Sequence, residues 1–147
     1  MDIILESSLV FFSSLLSATL IPATSEAVLI ATVLHGDTNL WFLALIATFG
    51  NTAGAIINWA IGTFLSGLSK KSWFPIKKKM LVKAEGHFKK YGVWSLLFSW
   101  MPIIGDPLTL VAGYLKVPFL IFFVLVFLGK AARYFFLIQF FSGSLNS

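Results

Sequence analysis

Four ionisable residues stand inside stretches that are otherwise apolar: Glu26, Asp106, Lys130 and Arg133. A charge at the centre of a bilayer costs from about 2.5 to more than 10 kcal/mol, so such residues pair with one another or face a water-filled cavity. Two acids and two bases allow both readings. As ion pairs, Glu26 and Asp106 would hold broken segments against the spans that carry Lys130 and Arg133. As the lining of a cavity, Lys130 and Arg133 would attract a lipid phosphate, arginine through its planar fork and lysine as a point charge. The two carboxylates would then be the groups that exchange a proton and couple movement to a proton gradient.

The background against which these charges stand is unusual. The 147 residues are 58% hydrophobic and only 12% charged, and mean hydropathy is +0.90. A soluble domain carries about 25% charged residues. Half that cannot coat the surface, so lipid is part of the solvent. This excludes a soluble enzyme, a disordered tail and a free nucleic-acid-binding module. There are no cysteines, and His35 and His87 lie far apart, so no metal or cofactor site is expected. Gly-x-Ser-x-Gly, His-Glu-x-x-His and P-loop motifs are also missing, which argues against an enzyme. The net charge of +5 is local: eight lysines fall between Lys70 and Lys90.

An all-helical integral membrane protein is expected, a single membrane domain over residues 1–147. Ile3 to Leu20 reads as a first helix, marginally long enough to span, interrupted by Pro22. The apolar run Glu26 to Leu34 covers only about 14 Å as a helix, so Leu20 to Gly36 reads as a broken or re-entrant segment, with Thr24 and Ser25 capping the half-helix that carries Glu26. Trp41 to Leu68 holds 28 residues without a charge, enough to span with tilt. Gly50, Gly54, Asn58 and Gly62, with Asn51 beside them, form a face of small and amide residues that lets another helix approach closely. The same face suits self-association into a homo-oligomer. Residues 69–91 form a basic bridge. After Pro75, the residues Ile76, Met80, Ala84, Phe88 and Tyr91 fall on one stripe flanked by lysines, as in an amphipathic helix on a membrane surface, with Trp73 and Phe74 as anchors. Its expected partners are anionic lipid headgroups. Val93 to Leu115 is broken by Pro102, Gly105, Asp106 and Pro107, a second re-entrant segment in which Thr109 either lines the hairpin or bonds its own backbone. Pro118 to Phe141 is the last of about three full spans.

The halves share a pattern. Pro22 and Glu26 are four apart, as are Pro102 and Asp106; Gly50–Asn51 follows Pro22 by 28 residues and Gly129–Lys130 follows Pro102 by 27. Two hairpin-plus-span repeats are expected, about 5–68 and 92–141. Lysine-rich bridges remain cytoplasmic, so the first hairpin would open outward and the second inward. That inverted topology is the arrangement in which transporters hold their site at a repeat interface.

Residues 17–29, the segment Ser99-Trp-Met-Pro-Ile-Ile-Gly-Asp-Pro107, Ala112-Gly113 and Gly129-Lys-Ala-Ala-Arg-Tyr134 resemble the small YqaA-type branch of the DedA superfamily, also called SNARE-associated Golgi or VTT-domain proteins. The resemblance covers about residues 8–136. It implies a bacterial inner-membrane protein with two re-entrant hairpins that moves lipids, either a polyprenyl-phosphate carrier driven by the proton gradient or phospholipids by scrambling. It also implies a functional acid in the first hairpin, matching Glu26. The superfamily's arginines on either side of the second hairpin's proline are replaced by Ser99 and Gly105, which calls polyprenyl-phosphate handling into question. The leading expectation is therefore a transporter or scramblase of a phosphate-bearing lipid. A non-transporting assembly factor and a proton-coupled cation exporter are the alternatives.

Overall fold

The computed structural model describes residues 2–19, 27–28, 30–31, 39–68, 78–101 and 104–145. Pro22, Thr24, Ser25, Glu26, His35, Trp73, Phe74, Pro75 and Pro102 lie outside the described residues. Every regular element among those described is helical: α1 (Ile3–Thr19), α2 (Leu40–Ser66), α3 (Lys78–Tyr91), a 3-10 helix (Gly92–Trp100), α4 (Gly105–Tyr114) and α5 (Phe119–Leu145).

Among the described residues, two helices are long and apolar enough to cross a membrane, Leu40–Ser66 and Phe119–Phe140. The sequence suggested about three. The third, α1, has 17 described residues, a length of about 25 Å against a ~30 Å hydrocarbon core. Local chemistry sets the ends of α2 and α4. Asn39 accepts a hydrogen bond from the Trp41 amide at 2.9 Å and caps the start of α2. Pro107 sits in the first turn of α4, where no amide is needed. That helix closes with paired bonds from the Val117 amide to the Ala112 carbonyl and from the Lys116 amide to the Gly113 carbonyl, both 2.9 Å. This is a Schellman ending, with Lys116 at φ 57° where glycine is usual. Ala112 and Val117 share the same apolar cluster.

The chain divides into two compact units, Met1–Gly54 with Lys130–Ser147, and Ala55–Gly129. In the first, Glu6, Val10 and Ser14 of α1 are fully buried. Spaced by four, they form one stripe of the helix. Val10 clusters with Leu43, Ala44, Ala47, Tyr134 and Ile138. Gly50 lies directly under the Phe11 carbonyl, and a β-carbon placed there would meet the Ser14 β-carbon at 3.1 Å. So α1 runs along the first half of α2.

In the second unit, Gly62 lies against the Leu110 carbonyl, Gly113 against the Trp59 carbonyl, Gly105 against the Ser99 carbonyl, and Gly129 within 2.6 Å of the Leu97 carbonyl, measured from a built β-carbon. Backbone therefore meets backbone at four places. Trp59 donates its indole N–H to the Val117 carbonyl at 3.1 Å and packs on Phe119 and Phe122. The basic bridge supplies α3, whose Phe88 enters this core. Tyr91, expected on the same stripe, is exposed, with the Lys90 ammonium 5.4 Å from its ring. The reason is that the helix ends there: Gly92 turns the chain at φ 62°.

Candidate functional site

Lys130, Tyr134 and Ile138 lie four apart on α5 and are buried, Lys130 at 3% exposure. A lysine this enclosed must deliver its charge to a partner. It finds one in Asn51 of α2: the Lys130 Nζ donates to Asn51 Oδ1. The other end of the same amide, Nδ2, donates to Tyr134 Oη at 3.1 Å. An amide that accepts from a cation and donates to a phenol can sit in only one of its two flip states. Asn51 is itself buried, as are Thr48 and Thr52 around it. Thr48 returns its hydroxyl to the Ala44 carbonyl at 2.8 Å. The hydroxyls of Ser14 and Thr52 are buried and have no hydrogen-bond partner.

The second unit has a smaller polar chain. Asn58 Nδ2 donates to Thr109 Oγ1 at 3.3 Å, and Thr109 donates onward to the Asp106 carbonyl at 2.7 Å. Thr109 thus both bonds its own helix and meets a neighbour. Asp106 is half-buried in the first turn of α4. Ser99 is buried with its hydroxyl unpartnered.

The residues singled out in the sequence therefore have different fates. Asn51 and Lys130 come together, and Asn58 joins the α4 segment that carries Asp106. Gly50 and Gly62 are filled by neighbouring backbone of the same chain, and Gly54 is buried. The face offered for self-association is thus occupied internally at Gly50 and Gly62. Gly105 has no room for any side chain, because Ser99 backbone lies against it. Arg133 is half-buried and three positions from Lys130, about 60° round the helix from it. Glu26 lies outside the described residues. Sequence reasoning missed Tyr134, Ser14 and Glu6. Tyr134 could have been found from its four-residue spacing to Lys130; Ser14 carried no signal, because it is one of five serines in α1.

A model of the VTT domain matches residues 21–143. The chain belongs to the VTT-domain (DedA) family. It is 44% identical over 128 residues to the inner membrane protein YqaA of Escherichia coli (strain K12), covering 84% of this chain and 82% of that one. The protein of the same name in Shigella flexneri matches equally. An uncharacterized protein of Haemophilus influenzae is 31% identical over 131 residues, covering 84% and 80%. No solved structure matches. With two helices of spanning length and a relative named for the inner membrane, this VTT-domain chain is a membrane protein. The domain match begins after α1.

Proposed function

We propose that this VTT-domain protein moves a phosphate-bearing lipid, a phospholipid or a polyprenyl phosphate, across the inner membrane without chemically altering it. The observation that carries this reading is Lys130: a cation almost fully buried in a helix of spanning length and held by a neutral amide. Cations at such depth are costly and mark pathways more often than scaffolding. A lysine ammonium is a point charge suited to a phosphate, and Arg133, one turn on, would receive the headgroup as it moves. Asp106 and Glu26 are the carboxylates available to exchange a proton with the gradient.

The architecture proposed for this movement is a pair of re-entrant hairpins in repeats of inverted topology. Three features support it. The 3-10 helix has nine residues and α4 ten, about 18 and 15 Å, so neither crosses alone. Ser14 meets Gly50 about 15 Å along α2, a helix of about 40 Å, so the described residues of α1 lie along the first half of α2 and suit the entering arm of the first hairpin. Finally, the Phe11 carbonyl rests on Gly50 in the first unit much as the Leu97 carbonyl rests on Gly129 in the second. Each glycine precedes one partner of the Lys130–Asn51 bond. The lysine-rich bridge would lie at the cytoplasmic face against anionic headgroups. Tags at positions 38 and 78 are expected on opposite sides of the membrane; finding both on one side would refute the inverted arrangement.

Function is tested by reconstitution. Purified protein in vesicles should flip fluorescent phospholipid or polyprenyl phosphate, and Lys130→Gln should abolish it. A pH gradient should change the rate if protons are coupled. A folded protein that flips neither lipid would overturn the reading in favour of an assembly role.

A further inference from the structure

The first helix lies outside the matched domain, yet it is packed into the unit that holds Lys130. It presents three fully buried residues to that interior, Glu6, Val10 and Ser14. Val10 is satisfied by apolar contact in the cluster that includes Tyr134. Ser14, one turn further on, is different. Its hydroxyl is buried and makes no hydrogen bond, although Ser8 and Ser13 of the same helix return theirs to the Ile4 and Val10 carbonyls at 2.7 and 3.1 Å. A serine in a helix can always make that local bond, so a buried hydroxyl that forgoes it is held for something else or carries an uncompensated penalty of about 1–3 kcal/mol.

The surroundings of Ser14 say what that would be. Its β-carbon packs where Gly50 leaves space. The next residue, Asn51, holds the Lys130 ammonium and the Tyr134 hydroxyl. Val10, one turn before Ser14, belongs to the same apolar cluster as Tyr134. A buried hydroxyl donor therefore lies against the residue that precedes Asn51, one turn from a side chain that clusters with Tyr134. We propose that Ser14 completes a phosphate-binding site with Lys130, Asn51 and Tyr134, so that α1 is a functional part of the substrate site and not only an anchor. The proposal rests on the lipid-moving reading for the choice of phosphate as ligand. Lys130 supplies the charge, Ser14 a directed O–H donor, and Asn51 keeps the ammonium in place until the phosphate takes it over. Because Ser14 and Lys130 are enclosed as they stand, a headgroup enters when α1 parts from the Gly50 face.

The test uses the full chain in detergent and follows thermal unfolding with dioctanoyl phosphatidate, dioctanoylglycerol or inorganic phosphate. Phosphatidate should stabilise the wild type in a saturable way and dioctanoylglycerol should not. Stabilisation by inorganic phosphate to the same extent would support the site and assign it to free phosphate. Ser14→Ala should leave the unliganded melting temperature unchanged or slightly higher, since it removes an unpaired hydroxyl, while weakening phosphatidate binding about tenfold. Ser95→Ala, a buried serine of the second unit that already bonds the Gly92 carbonyl at 2.8 Å, should leave binding unchanged. Two results would overturn the proposal: a wild type stabilised no more by phosphatidate or phosphate than by dioctanoylglycerol, or Ser14→Ala binding within twofold of wild type. Loss of lipid flip with Ser14-dependent binding retained would reject transport and leave the phosphate site standing.

Discussion

The two units bury different chemistry. Among the described residues, those buried and polar in Met1–Gly54 with Lys130–Ser147 are Glu6, Ser14, Thr48, Asn51, Thr52 and Lys130; in Ala55–Gly129 they are Ser95, Ser99 and Thr109, none of them charged. The second unit instead has ten buried apolar residues in one cluster and four glycines pressed against carbonyls. Without a hydrophobic force between helices in lipid, close backbone packing is what holds them together. The second unit therefore behaves as scaffold. The first buries acid, base, amide and hydroxyl side chains at a cost that packing alone does not justify, and most of the candidate chemistry lies there.

The largest effect should come from breaking the scaffold. In Gly113→Val the new side chain overlaps the Trp59 carbonyl, which belongs to the backbone of α2 and cannot rotate away. A loss above about 3 kcal/mol is expected, seen as failure to recover a monodisperse protein. A well-folded Gly113→Val would show that the second unit is looser than its contacts imply.

Next in size is the polar network of the first unit. Asn51→Leu removes one acceptor for Lys130 and one donor to Tyr134 together, at a buried site. It should cost about 3 kcal/mol. Lys130→Met keeps volume and removes the charge, so it should stay within about 1 kcal/mol of wild type in stability while losing lipid flip. Made in the Lys130→Met background, Asn51→Leu should cost markedly less than alone, a coupling read directly in a double-mutant cycle. Equal costs in both backgrounds would reduce the network to ordinary packing.

Much of this fold was legible. A 28-residue stretch without charge can be little but a long helix, and Gly50 to Gly62 announced close packing through their spacing. The site was half legible. Lys130 stood out because a cation in an apolar helix is rare, and Asn51 because an amide there needs a partner. That the two bond each other could not be read, since they are 79 residues apart and join only through the way α2 and α5 pack. The 17 apolar residues of α1 did not announce that Ser14 lies beside Gly50. Glu6 is fully buried, which only the packing of the α1 stripe decides.

The smallest effects lie at two glycines six residues apart beside the scaffold. Gly86 is in the middle of α3 with nothing within 4 Å of a built β-carbon. Gly86→Ala should stabilise by up to about 1 kcal/mol, because alanine loses less freedom on entering a helix. Gly92 is equally open but turns the chain at φ 62°. There an alanine meets its own backbone, and Gly92→Ala should cost about 1 kcal/mol. The space around the two is the same, so the opposite signs isolate backbone conformation from packing. If both substitutions stabilised, the turn between α3 and the 3-10 helix would not be held at that angle. The scaffold would then end at Phe88, where α3 enters its core.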